Sequence, residues 1–146
     1  MLGLWSLVRF VHVVGAVIWL GGQLTISALV LPVARRRLEA AARADLMRTL
    51  GMRFGMATVS FLIPLQLATG TALAWHKGVT VASLAQPGYG RTLAGKLVAF
   101  VLVMLAAGLH GWANSAGRKA LARALAVSSL VGSLAVVLLA TALPVS

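Results

Sequence analysis

The sequence predicts an all-α membrane protein, a four-helix transmembrane bundle with both termini outside the cytoplasm. Hydrophobic residues make up 60% of the 146 residues, and the mean hydropathy is +0.97, which is far more apolar than a soluble domain of this size. Four apolar segments of roughly 17–22 residues are each long enough to cross a hydrocarbon core as a helix. We expect these helices at about 10–31, 54–75, 97–113 and 124–143, in a single domain that covers residues 1–146.

The distribution of positive charge predicts the orientation. The chain carries 13 Lys and Arg against only Glu39 and Asp45, for a net charge of +11. Nine of the 13 lie in the loops after the first and third segments, and the positive-inside rule places such loops in the cytoplasm. Both termini then lie outside the inner (cytoplasmic) membrane. Because the charges lie between apolar segments, they indicate orientation in a bilayer and not nucleic-acid binding.

Several kinds of chemistry are excluded by residue content. The chain has no cysteine, which rules out disulfides, thiolate metal sites and a cysteine nucleophile. No predicted span contains Asp or Glu, so a paired-carboxylate or Ser-His-Asp hydrolytic site is not expected. Any enzymatic activity would therefore depend on a redox cofactor.

Helix 1 carries a stripe of polar, aromatic and small residues. Trp19 and Gln23 follow His12 by seven and eleven positions, and Gln23 is within about 20° of His12 on a helical wheel. Polar side chains in a span face other helices and not lipid. We expect this stripe to face the bundle, and the second segment also carries polar and small residues roughly on one side. The residues that share the two faces are Gly15, Ala16, Gly22, Gln66, Thr69 and Gly70.

Predicted depth separates the ionisable residues into two groups. His12, His76 and Lys96 fall near the outer boundary, and Arg9 precedes His12 there. His110 lies about 21 Å deeper than Lys96 along the third helix. His12 and His76 are therefore the expected pair of ligands for one metal, whereas His110 belongs to an inner site. Structural alternatives are a snorkelling lysine, a helix-end His76 and an interhelical hydrogen bond from His110.

Helix 4 has no ionisable group in its span but carries small residues at four-residue spacing. Ser128 and Gly132 form one such pair, and Ser129 and Ser133 form the other. This spacing is typical of closely packed membrane helices, so we expect a tight helix contact here. A homo-oligomer through this helix is one form that contact could take.

The sequence resembles two related families of four-helix membrane proteins. The stretch "LVRFVHVVGAVIWLGGQLTISALVLP" is similar to the first helix of CopD-like copper-resistance domains, with His12, Trp19 and the pair at 21–22 matching. The stretch "LATGTALAW" resembles their second helix. The stretch "YGRTLAGKLVAFVLVMLAAGLHGW", with Lys96 and His110, resembles their third helix and that of HemJ-type membrane protoporphyrinogen oxidases, which bind haem b.

The resemblance and the residues leave three functions open. The first is a haem b protein with a redox or haem-handling role, in which histidines ligate iron, Trp19 packs on the ring, and Lys96 and Arg9 pair with propionates. A quinone or another redox carrier is its expected partner. The second is copper transport or binding, although Cu(I) prefers Cys and Met ligands. The third is a structural subunit of a larger membrane complex.

Overall fold

The computed structural model describes residues 3–142, and all regular secondary structure in that range is helical. The α-helices are α1 (Leu4–Leu24), α2 (Leu31–Arg37), α3 (Ala40–Ala57), α4 (Ile63–His76), α5 (Tyr89–Ser115) and α6 (Lys119–Thr141). Two π-helical stretches, Thr25–Val30 and Thr58–Leu62, join α1 to α2 and α3 to α4, and a short 3₁₀ helix covers Ala82–Ala85.

Four continuous helices are long and apolar enough to cross a membrane, which confirms the predicted all-α class and the four spans. They cover Leu4–Arg37, Ala40–His76, Tyr89–Ser115 and Lys119–Thr141. Each extends beyond its predicted apolar segment at one or both ends, because helical hydrogen bonding continues past the lipid-compatible residues. The side of the membrane on which the termini lie stays a prediction.

Each π-helical stretch lies immediately before a proline near the start of the next α-helix. Pro32 is the second residue of α2, and Pro64 is the second residue of α4. Proline donates no backbone hydrogen bond, and its ring clashes with the carbonyl four residues earlier. A wider π turn relieves that clash without ending the helix. The first helix therefore passes through Pro32, where the sequence predicts its end.

The arginine-rich segment after α2 is helical, although the sequence predicts a loop there. After a short extended turn at Leu38 and Glu39, α3 begins at Ala40 and continues through the π turn into α4. Alanine, arginine, leucine and methionine dominate its first 14 residues, and these residues have the highest helix propensities. Propensity alone therefore accounts for a helix where the apolar pattern is weak.

The chain forms two compact units, Met1–Gly78 and Val79–Ser146. In the first unit, α1 packs against α4 in antiparallel orientation, with His12 beside Thr69 and Gly15 beside Gln66. Trp19 is only 7% exposed, as its predicted inward-facing position requires. Polar and small residues of α1 and α4 thus meet in this interface.

In the second unit, α5 and α6 form a hairpin whose turn contains Gly117 at φ 73°. Ser129 and Ser133 are buried, and a Cβ atom at Gly132 would overlap the side chain of Val103 of α5, whereas Ser128 is exposed. The tight contact predicted for the fourth apolar segment, which is α6, is therefore made with α5 of the same chain. These small residues consequently give no support to a homo-oligomer through this helix.

Candidate functional site

His12 is held in a hydrogen-bonded chain across the α1–α4 interface. Its Nδ1 atom lies 2.7 Å from the Thr69 hydroxyl oxygen, and that hydroxyl donates to the Leu65 carbonyl at 2.6 Å. A threonine hydroxyl has one proton to donate. Because that proton points to Leu65, the His12 ring must donate through Nδ1–H. Nε2 is then the nitrogen that carries the lone pair in the neutral imidazole.

A second hydrogen bond joins the two helices at the same level. The Gln66 side-chain amide donates to the backbone carbonyl of His12 at 2.7 Å. The amide also lies directly over Gly15, where a Cβ atom would overlap it. The space between α1 and α4 is therefore filled at this level. A planar macrocycle therefore cannot lie between α1 and α4 at this level. It would have to approach His12 from outside the α1–α4 interface.

Glycine residues bring the helices close enough for these contacts. A Cβ atom at Gly70 would lie 3.2 Å from Cε1 of His12, so the absence of a side chain leaves room for the imidazole. Further along α1, a Cβ atom at Gly22 would overlap the Phe54 ring. Thr69 and Gly70 thus have two functions in the α1–α4 interface. The threonine orients the His12 imidazole, and the glycine leaves space for it.

His76 does not share this cluster. Its ring stacks on Trp5, with the ring centroids 3.9 Å apart and an interplanar angle of 11°. The antiparallel register pairs position 5 with 76 and position 12 with 69. His76 is therefore seven positions from the residue that contacts His12, or about 10 Å along the helix. Ligation of one iron by both histidines would require a different register.

The remaining predicted residues of the first unit lie on α1 around His12. Arg9 is exposed, one turn before His12, and Gln23 is half-buried, one turn beyond Trp19. One residue that the sequence did not predict also lies in this unit. The hydroxyl of Thr58, in the second π-helical stretch, is buried without a hydrogen-bond partner among residues 3–142. The sequence signal for it is weak: a threonine six residues before a proline.

The second unit contains the other two predicted residues. His110 donates from Nδ1 to the backbone carbonyl of Ala122 at 2.7 Å, which ties α5 to the start of α6. A carbonyl oxygen only accepts, so this ring is also the Nδ1–H tautomer when neutral. Lys96 is half-buried on α5, fourteen positions before His110. The interhelical hydrogen bond expected as the structural alternative for His110 is therefore present.

Comparison with known proteins gives no relative. No family model, curated protein or solved structure matches the chain. The resemblance to CopD-like and HemJ-type proteins thus stays a prediction from the residues quoted above.

Proposed function

We propose that this chain is an integral membrane protein that binds haem b through Nε2 of His12, in a redox or haem-handling role. The observation that supports this most strongly is the chain from His12 Nδ1 to the Thr69 hydroxyl and the Leu65 carbonyl. Histidines that ligate metals usually donate their other ring N–H to a fixed acceptor, which sets the tautomer and the ring orientation. His12 has that arrangement within a helix suited to lipid.

The ligand content of the chain favours haem over a bare copper ion. Among residues 3–142, no group of three or more His, Cys, Asp or Glu side chains lies together as a metal site. A bare ion needs several protein ligands, and Cu(I) prefers sulfur. In haem the porphyrin supplies four ligands, so a single histidine is sufficient to hold the iron. Copper is therefore the second candidate.

Neighbouring residues of α1 suit the remainder of a haem. Arg9 is exposed one turn from His12, and a guanidinium group pairs well with a propionate carboxylate. Trp19 lies two turns from His12 in the other direction and is buried. Bound haem b supplies an iron that changes between ferric and ferrous states. A quinone or another redox carrier in the membrane is the expected electron partner.

Purification of the full chain in mild detergent tests this proposal. We expect a Soret band that shifts on reduction and about one haem per chain by pyridine haemochromogen assay. His12→Ala should lose most of that haem. The matched control His110→Gln should retain it, because the His110 ring hydrogen-bonds the Ala122 carbonyl between α5 and α6. A colourless preparation with stoichiometric copper would reverse the order of the candidates. A preparation without haem or metal would favour a structural subunit of a larger complex.

A further inference from the structure

The corner between α2 and α3 contains an apolar groove with one charged residue in its lining. The groove has a volume of about 390 Å³. Its apolar wall comes from both sides of the corner, since Leu46 of α3 lies opposite residues of the preceding helix. The lining residues are Leu29, Val30, Val33, Ala34, Leu38, Leu46 and the charged Arg37. A surface of this composition fits a ligand with a hydrocarbon part and an anionic part.

The charge around the groove is strongly positive. Six arginines lie between positions 35 and 53, against the two carboxylates of Glu39 and Asp45. Asp45 is already paired with Arg48, whose guanidinium lies 3.4 Å from the carboxylate oxygen. This pair does not line the groove. The lining surface is almost entirely apolar, so Arg37 borders the groove mainly with the aliphatic part of its side chain and is the charged residue at its edge. The local field therefore favours an anion at the Arg37 end.

The groove also lies at a suitable depth along the membrane-spanning helix. Leu4–Arg37 is one continuous helix, and Arg37 is its last residue. Arg37 is about 10 Å beyond Val30 along the helix axis. The bilayer changes from hydrocarbon to headgroups over a similar distance, since the headgroup layers add roughly 5–8 Å on each side of a ~30 Å core. The apolar wall can therefore meet acyl chains while Arg37 meets phosphate.

We propose that this groove binds one anionic phospholipid of the surrounding bilayer. An acyl chain lies along the apolar wall at Val30, Val33 and Leu46, and the lipid phosphate pairs with the Arg37 guanidinium. The neighbouring arginines increase the local concentration of anionic lipid but do not form the site. This inference is independent of any cofactor at His12, which lies about 25 Å from Leu29 along the continuous helix.

Lipid binding can be measured by native mass spectrometry of the full chain released from detergent micelles. The probes are dioleoylphosphatidylglycerol and dioleoylphosphatidylcholine, which share acyl chains but differ in charge. Inorganic phosphate is added separately as a competitor without a chain. We expect the protein to bind one phosphatidylglycerol at least fivefold more tightly than phosphatidylcholine, with no displacement by phosphate.

Two variants and one control separate a site from general attraction. Arg37→Gln should weaken phosphatidylglycerol binding about fivefold, the usual effect of one cation near a lipid surface. Val33→Trp should also weaken it by filling the groove, and Val33 is 59% exposed, so the fold has room for the larger side chain. Arg53→Gln removes an equal charge outside the groove lining and should change the affinity by less than twofold.

Equal weakening by Arg37→Gln and Arg53→Gln would overturn the proposal, because it would show diffuse attraction to the whole arginine-rich surface. Displacement of the lipid by inorganic phosphate would also overturn it, since the apolar wall would then contribute nothing. Unchanged binding in Val33→Trp would show that the lipid lies elsewhere.

Discussion

The His12 imidazole and the Thr69 hydroxyl lie 2.7 Å apart across the α1–α4 interface, and the hydroxyl proton is given to the Leu65 carbonyl. This order of donors fixes both the ring orientation and the tautomer of His12 within the protein itself. Little reorganisation is then needed to present Nε2 to a metal. The α1–α4 pair thus contains a histidine whose tautomer, and therefore its coordinating nitrogen, is determined by its hydrogen bonds.

Removal of the Thr69 hydroxyl should lower both the stability of the α1–α4 packing and the affinity of His12 for the proposed haem. Thr69→Val keeps the shape of the side chain but leaves the His12 Nδ1–H without its acceptor, which costs about 1–3 kcal/mol. Loss of such an orienting partner typically lowers metal affinity 10- to 100-fold. The measurements are thermal unfolding in detergent and haem titration of the apoprotein. Thr71→Val, at an exposed position of the same helix, is the control and should match the wild type.

The Trp5–His76 stack gives a second prediction. His76→Phe keeps an aromatic ring on Trp5 but removes the imidazole nitrogens. Because the register places His76 about two turns from His12, we expect the haem content and spin state to stay unchanged in the absorption and electron paramagnetic resonance spectra. A change from low to high spin would instead identify His76 as the second axial ligand, as predicted from the sequence alone.

Two glycines of α5 provide a matched test of the second unit. A Cβ atom at Gly90 would overlap the backbone carbonyl of Ser83, whereas a Cβ atom at Gly95 meets no atom within 4 Å. We expect Gly90→Ala to lower the free energy of unfolding by about 1–3 kcal/mol, because backbone cannot move aside as a side chain can. Gly95→Ala should be neutral or stabilising by up to about 1 kcal/mol. Equal melting temperatures for the two variants would contradict this packing.

The sequence predicts the fold class and the polar and small-residue stripe of α1. Apolar length marks all four spans, and helical periodicity places His12, Gly15 and Trp19 on one stripe of α1. In the structure His12 and Gly15 contact α4, and Trp19 is buried. The register of α1 against α4 cannot be predicted from the sequence in the same way. It depends on close contacts such as Gly15 with the Gln66 amide, which arise only when two helices are fitted together. The separation of His76 from His12 follows from that register.

Helix ends are predicted less well than helix existence. Hydropathy identifies residues that lipid tolerates, whereas hydrogen bonding decides where a helix ends. Pro32 lies inside the first long helix because a π turn accommodates it. The arginine-rich segment is helical because its residues favour helix and are tolerated in water. Neither the π turn nor the helix propensity can be read from the spacing of apolar residues.

Orientation is predicted from charge and can be tested separately from any cofactor. If all four apolar helices cross the membrane, both ends of the chain are expected on the same side. The positive-inside rule places the two arginine-rich segments in the cytoplasm, so a C-terminal alkaline phosphatase fusion should be active and a C-terminal green fluorescent protein fusion should be dark. The reverse pair of signals would contradict the orientation.

Imidazole rescue of His12→Ala tests the central claim, that His12 Nε2 is a haem ligand, most directly. Free imidazole can replace a missing ligand at the iron, but it cannot restore the hydrogen bond that His12 makes to Thr69 from within α1. If His12 is the ligand, haem content and the reduced Soret band of His12→Ala should return as millimolar imidazole is added, while Thr69→Val gains nothing. Full haem content in His12→Ala without imidazole would contradict the account.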